Sequence, residues 1–318
     1  MQTEREQPDH LYTKEDLRTM QAWPLWRKIQ VTQTRIMEWF IRYEGNVYVS
    51  FSGGKDSTVL LDLARRIYPD IEAVFVDTGL EYPEIRNFVR TKENVTIRRP
   101  KMTFSQVIKT FGYPIISKTV AHNVGVAIRN PDGAVKRNMF SPEKHGPYAM
   151  YKWSYLLNAP FKISEKCCDI MKKQPAKDYE KETKKHPIMG TMADESINRR
   201  DDWLRNGCNA FDTERPKSKP MSFWTEQDVL QYIHDYGIEI APVYGEVKQD
   251  SKGKFYTTGC HRTGCVFCMF GCHLEKEPNR FQQLKQTHPK LYEYCIRSEE
   301  DGGLGLGKVL DFIHVNYK

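Results

Sequence analysis

The sequence predicts an α/β chain built on a doubly wound, mostly parallel sheet, and three observations predict it. Short β-branched or aromatic runs alternate with stretches of helical spacing. Glycine and aspartate follow the strand ends, as where ligands gather at the carboxyl edge of such a sheet. The clearest unit, Asn46 to Leu63 (NVYVSFSGGKDSTVLLDL), passes from strand to turn to helix without interruption.

Taken in order, Trp23 to Tyr43 places Trp26, Ile29, Ile36, Phe40 and Ile41 at mostly helical intervals, so a helix precedes the first strand and packs as core. Val47, Val49 and Phe51 then supply a buried strand. Gly53 and Gly54 lack a Cβ, so they can take positive φ and let backbone N–H groups converge on an anion. Asp56 and Ser57 stand where an N-cap and first helical turn belong, and Val59, Leu60, Leu63, Ala64 and Ile67 continue at helical spacing. That helix points its free N–H groups and positive dipole end at the turn, where Lys55 adds a formal charge.

Ala73 to Val76 reads as a second strand ending in Asp77-Thr78-Gly79. Pro83 opens a helix to about Val89, Thr96 to Arg98 forms a third short strand, and Phe104 to Phe111 another helix. From 113 to 160 the pattern weakens, as in an insertion or lid. Regularity returns with Pro187 to Thr191, a central strand followed by Ala193-Asp194-Glu195-Ser196 and Arg199-Arg200. Thr225 caps a helix that turns Val229, Leu230 and Ile233 inward, and Trp224 beside the cap is expected to pack the helix start. The expected organisation is an N-terminal helical segment (1–44), a nucleotide-binding domain (45–240) carrying the insertion, and a cysteine-rich, helical C-terminal segment (241–318).

With 318 residues, 39% of them hydrophobic, the chain can bury a substantial core. No window approaches the ~20 apolar residues needed to cross a bilayer, and the first ten residues are polar and acidic, so no membrane role and a cytoplasmic location are expected. A net charge of +7 is compatible with a nucleotide or nucleic-acid partner without demanding one. In a reducing compartment the eight cysteines are not expected as disulfides, and their clustering carries more meaning than their number.

The Gly-Gly spacing differs from the Walker loop, which needs four residues between its glycines. The string SFSGGKDS (Ser50 to Ser57) resembles the PP-loop of the ATP pyrophosphatase and phosphoadenosine phosphosulfate (PAPS) reductase superfamily, whose fold is adenine nucleotide alpha-hydrolase-like. FVDTGLEYPE (Phe75 to Glu84), KCCDIMKK (Lys166 to Lys173), GTMADESINRR (Gly190 to Arg200), FWTEQDVLQYI (Phe223 to Ile233) and TGCVFC (Thr263 to Cys268) follow in the order found in PAPS reductases and the small subunit of ATP sulfurylase. The resemblance implies an adenine nucleotide, ATP or PAPS or adenosine phosphosulfate (APS), held with Mg²⁺ by Ser50, Ser52, Gly53, Gly54, Lys55, Asp56, Ser57, Asp77, Thr78, Gly79, Arg199 and Arg200. Lys55, Asp56, Asp77 and Arg199 are the catalytic candidates. Asp77 can order nucleotide, Mg²⁺ or substrate, or merely cap the following turn. Arg199 and Arg200 can clamp phosphate or sulfonate oxygens, or form surface pairs with Asp201 or Asp202.

Cys167-Cys168 followed at a distance by Cys265-x-x-Cys268 resembles the ligand set of the 4Fe–4S cluster in assimilatory APS reductases, with Lys172 and Lys173 offsetting thiolate charge. A rival local set, Cys260, Cys265, Cys268 and Cys272, with His261 and His273 adjacent, can hold a cluster or zinc. Both assignments stay open at the level of sequence.

The reductases use a cysteine within a C-terminal Glu-Cys-Gly-x-His type motif, and this sequence has none; its last cysteine, Cys295, lies in LYEYCIRSEED and is expected in the core. The preferred expectation is therefore an ATP-dependent transferase of sulfur metabolism. Such an enzyme adenylates a substrate, nucleic acid included, releases pyrophosphate and accepts sulfur, as the resemblance to DNA phosphorothioation and tRNA thiolation proteins implies. A sulfur-donor partner such as a cysteine desulfurase is implied with it, and self-association is left open. The alternatives are an oxidoreductase forming sulfite from PAPS or APS with an external or Cys167 thiol, and a non-catalytic nucleotide-binding subunit of a complex.

Overall fold

A computed structural model of the chain describes residues 10–143, 146 and 149–318. It resolves into two compact units assembled from interleaved stretches: residues 1–77, 82–98 and 176–263 form the first, and 78–81, 99–175 and 264–318 the second. Both expected boundaries, near 44 and 240, fall inside the first unit, and the stretch expected as an insertion, 113–160, lies wholly in the second.

The first unit holds the predicted sheet. Its elements are α1 (Lys14–Gln21), α2 (Leu25–Arg42), β1 (Val47–Ser50), α3 (Lys55–Arg65), β2 (Ala73–Val76), α4 (Pro83–Arg90), β3 (Val95–Arg98), α5 (Gln174–Thr183), β4 (His186–Met189), α6 (Ile197–Asn206), β5 (Asn209–Ala210), β6 (Lys217–Ser218) and α7 (Glu226–Tyr236). The strand order is β3-β2-β1-β4-β6-β5, parallel throughout except for the antiparallel β5–β6 edge. In β1, Val47 and Val49 enter the main core with Ile36 and Trp39 of α2, whereas Tyr48 faces Val74 and Tyr179 on the other side of the sheet. A strand buried on both faces has no reason to alternate polar and apolar residues, which is why its sequence reads as a continuous run.

The expected helix at 23–43 appears as α2, and a further helix, α1, precedes it, started by a capping box between Thr13 and Asp16. Leu17 carries α1 into the core. Trp224 is fully buried and donates its indole N–H to Thr32 Oγ1 at 2.8 Å, so it packs the start of α7 as expected. Lys28 on α2 is 1% exposed, and its ammonium donates to the Gln21 carbonyl at 2.7 Å and to Asp228 Oδ2 at 2.6 Å.

In the second unit the region that looked irregular contains helices at Lys118–Arg129 and Ala134–Met139 and a 3-10 segment at Tyr151–Asn158. Ser117 caps the first of these, on which Ala121, Asn123, Val124 and Gly125 are all buried. Its glycine, asparagine, histidine and β-branched residues have weak helix propensity, so packing holds this helix. Among the described residues no helix is long and apolar enough to cross a membrane.

The buried Lys28–Asp228 pair sets a test of the first unit. Asp228→Ala strands a buried ammonium and is expected to cost about 3–5 kcal/mol, read as a lower denaturant midpoint. Lys28→Met keeps the buried stem and leaves the more accessible partner, so its cost is expected to be clearly smaller.

Candidate functional site

The turn between β1 and α3 is shaped by two close approaches. Gly53 has φ +71°, and a Cβ there would come within 2.8 Å of Ile85 and Val89 on α4, so only glycine lets the chain pass. Gly190, just past β4, lies where a Cβ would be 3.1 Å from the Asp56 carbonyl oxygen. Gly54 rather than Asp56 or Ser57 is the N-cap of α3; Lys55, Asp56 and Ser57 form its first turn. The hydroxyls stabilise the turn internally: Ser52 Oγ lies 3.0 Å from Ser57 Oγ, which donates to the Gly54 carbonyl at 2.9 Å, and Ser52 Oγ accepts from Gly54 N–H at 3.3 Å. Ser50 ends β1 and pairs with Val74 and Met189 on the neighbouring strands.

Lys55 is 3% exposed, and its ammonium is surrounded by oxygen: Glu226 Oε1 at 3.0 Å, the His261 carbonyl at 3.2 Å and Asp56 Oδ1 at 3.8 Å. Its backbone N–H donates to Tyr244 Oη at 3.3 Å, and Tyr244 Oη is 2.5 Å from Thr263 Oγ1. Burial pushes the Tyr244 hydroxyl up to about 12, so it acts as a neutral hydroxyl. Burial likewise raises the Asp56 carboxyl above the ordinary carboxylate range, although Lys55, Arg262 and Arg199 pull the other way. Asp56 Oδ1 is buried without a hydrogen-bond partner. A desolvated carboxylate oxygen of that kind beside an anion cradle suits a divalent cation.

The consecutive arginines diverge. Arg199 pairs with Glu195, which also receives Arg262, and its guanidinium is held below the ordinary value by desolvation and by Arg262, while Asp56 opposes the shift. Arg200 stands 3.9 Å from Asp201 and faces other surroundings, described below. Asp77 ends β2 with its carboxylate against Arg86, Nε to Oδ1 at 3.1 Å and an Nη2 hydrogen bond to Oδ2 at 3.2 Å. Nothing in the sequence marks that partner. Thr78 and Gly79 belong to the second unit, where Thr78 Oγ1 donates to Glu81 at 2.7 Å and accepts from Leu80 N–H. Glu226, Tyr244, Arg262 and Thr263 carried no signal tying them to the turn, since each is far from it in sequence.

Cys167, Cys168, Cys265 and Cys268 all lie in the second unit and within electrostatic reach of one another. Burial and then the neighbouring thiols push Cys167 far up, and burial raises Cys265 to about 11. Burial alone would depress Lys172, but Cys265, Glu81 and Cys168 outweigh it and raise the ammonium, which hydrogen-bonds Cys265. Lys173 turns away and pairs with Asp169 at 2.6 Å. This divergence falls in a π-turn, Asp169–Lys173. Arg280, unmarked in the sequence, donates to the Cys268 carbonyl at 2.9 Å. Cys260 belongs instead to the first unit, where its thiol is 3.0 Å from the Arg262 carbonyl. Among the described residues no three His, Cys, Asp or Glu side chains converge on a single metal ion.

The phosphoadenosine phosphosulfate reductase domain model matches residues 46–115 and 115–269, which takes in the Gly53-Gly54 turn, both arginines and the paired cysteines. The chain belongs to that family. Within the PAPS reductase family it is 28% identical to an adenosine 5′-phosphosulfate reductase of Staphylococcus epidermidis over 63% of this chain and 66% of that protein. It is 27% identical to a sulfate adenylyltransferase subunit 2 of Shewanella frigidimarina over 63% of this chain and 60% of that one. An uncharacterized protein of Methanocaldococcus jannaschii is 24% identical over 79% of this chain, which spans 46% of that relative's length, less than half. A solved PAPS reductase from Candida auris superimposes over 74% of this chain and 92% of its own with a TM-score of 0.39 and 15% identity.

The raised Asp56 carboxyl gives a pH test. Its contribution to stability is present when protonated and is lost as pH rises through its titration, because the folded state disfavours the charge. Asp56→Asn is therefore expected to be more stable than the natural chain near neutrality, with the difference shrinking toward zero in acid, as read by thermal melts across pH.

Proposed function

We propose that the chain is an ATP-dependent transferase of sulfur metabolism that adenylates a substrate, nucleic acid included, and releases pyrophosphate before sulfur is delivered. The observation that carries this reading is the Lys55 ammonium, buried at the first turn of α3 behind the Gly53-Gly54 turn and surrounded by oxygens that a phosphate can replace. The reading is further supported by family membership and by relatives named for sulfate adenylylation and phosphosulfate reduction.

In this mechanism the N–H groups of the first turn of α3 and the Lys55 ammonium receive the phosphate oxygens of ATP and stabilise the charge that develops on the leaving pyrophosphate. Asp56 would hold Mg²⁺, which supplies charge neutralisation between the phosphates. Arg199, steered by Glu195, stands ready for the oxygens of the α-phosphate as a substrate oxygen attacks it. Tyr244, bonded to Thr263 and the Lys55 amide, keeps the turn in register. Cys167, Cys168, Cys265 and Cys268 would hold an iron–sulfur cluster, with Lys172 offsetting their charge; such a cluster would supply iron–sulfide chemistry next to the delivered sulfur.

Relatives named for APS reductase favour a second reading, reduction of PAPS or APS to sulfite. That chemistry needs an accessible low-pKa thiol, and Cys295 is 0% exposed with its thiol pushed up to about 12 by burial. Cys167 fails the same requirement, being 7% exposed with its thiol pushed far up by burial, so the nucleophile would be a thiol from another protein.

Two measurements test the proposal. Anaerobically prepared protein is expected to release pyrophosphate from ATP when given single-stranded nucleic acid, and Lys55→Ala to lower that rate by about 100-fold or more. Sulfite production from PAPS in place of pyrophosphate release would overturn it. Iron and sulfide analysis is expected to show about four irons per chain, lost in Cys167→Ser and Cys265→Ser and retained in Cys260→Ser.

A further inference from the structure

Arg199 and Arg200 adjoin in sequence, yet helical geometry sends them about 100° apart around α6. Arg199 belongs to the Glu195–Arg262 cluster beside the phosphate loop. Arg200 instead lines a cavity of about 340 Å³ in the first unit, walled by α1 and by the turn that joins β4 to α6. Lys14 and Arg18 line it from α1. They are one turn apart, so their charges fall on one face about 6 Å apart along the axis. Against these three cations the lining carries one carboxylate, Asp194, and Arg18 also has the exposed Glu15 at 3.6 Å, a surface pair that a phosphate can displace.

Two features say what would fill it. The Nε of Arg200 is buried without a hydrogen-bond partner, and its nearest carboxylate stands at 3.9 Å, beyond hydrogen-bond range. A guanidinium in that condition is best satisfied by an oxyanion that accepts from its fork. The second is apolar: Leu17 forms part of the lining, and Ile197, also on it, is 66% exposed. An inorganic anion has no use for that surface, nor for a volume of this size.

We propose that this cavity takes the phosphodiester backbone of a single-stranded nucleic acid, with Lys14, Arg18 and Arg200 on successive phosphates and Ile197 against a sugar or base. The spacing of the α1 cations along one face is of the order of that between neighbouring phosphates of a strand, which a single phosphate does not exploit. The β4–α6 turn that walls the cavity also carries Glu195, which orients Arg199, and begins at Gly190, packed against the phosphate-loop backbone. A strand lying here is thereby carried along the wall that the cavity shares with the adenylation centre. The inference rests on the proposed adenylation of nucleic acid and adds the surface that holds the acceptor.

The test is fluorescence anisotropy of oligothymidylate and oligouridylate of about 12 nucleotides on the full chain over a range of salt. ATP binding to the same preparations is measured separately. Lys14→Glu/Arg18→Glu is expected to weaken strand binding by about tenfold or more and to reduce the slope of log K against log salt by about 0.7 for each phosphate no longer neutralised. Arg200→Gln is expected to weaken binding with a smaller slope, and Arg200→Lys to keep the slope while losing affinity, because the charge stays and the fork goes. Unchanged strand affinity and salt slope in the charge-reversed variant, with its melting temperature preserved, would overturn the proposal. So would displacement of the strand by thymidine monophosphate at equal phosphate concentration. A chain that binds ATP but no strand refutes the groove alone, whereas one that binds the strand through these residues but no ATP refutes the adenylation reading and leaves the groove standing.

Discussion

A buried ammonium must always have oxygen around it, and the first unit is arranged so that Lys55 does. Removing that charge from water costs several kcal/mol unless partners replace the lost hydration. One partner is local, Asp56 in the same turn, and two come from distant stretches, Glu226 at the start of α7 and the carbonyl of His261. Each can be exchanged for a ligand oxygen without leaving the charge bare. The same requirement explains why α7 begins where it does, since the capping box of Thr225 and Asp228 fixes its first residue, Glu226. Asp228 serves twice, because it also neutralises buried Lys28 on α2. Two buried lysines are thus satisfied from neighbouring positions of one helix N-terminus.

The desolvated groups around the turn fit this arrangement. Asp56 with its raised carboxyl and orphaned oxygen, and Arg199 with its depressed guanidinium, are each unfavourable alone. A packing core would replace such groups by apolar ones, and their concentration here is the physical ground for the proposed site. The thiol cluster of the second unit follows a similar rule with the sign reversed: four acidic groups held in a poor solvent, with one buried cation, Lys172, set among them.

The β1–turn–α3 unit, β2, α4, β3 and the central β4 were legible in the sequence because each is local: periodicity, a proline at a helix start, and glycine at a turn announce themselves within a few residues. Trp224 and Thr225 were legible for the same reason. The partition into units was not, because the second unit draws on 78–81, 99–175 and 264–318, and no composition shift marks the crossings. The helix Lys118–Arg129 escaped because His122, Asn123 and Gly125 break its apolar run in the sequence. Glu226, Tyr244 and Arg280 escaped because their roles depend on long-range packing. Asp77 was marked as a strand-end carboxylate, but its guanidinium partner, Arg86, lies on the helix after the turn, beyond what strand-end position can indicate.

The π-turn at Asp169–Lys173 has a consequence for how the thiol cluster tolerates change. A π-turn holds one residue more than an α-turn, so everything beyond it is rotated by about 100° relative to an uninterrupted helix. Here the extra residue comes directly after Cys167 and Cys168 and sets the phase that sends Lys172 to the sulfurs and Lys173 to solvent. A one-residue deletion in this stretch would give a more regular helix and, by that gain, unhitch the counter-charge from the thiols. The number of residues between the paired cysteines and Lys172 thus sets the angular phase on which their approach depends.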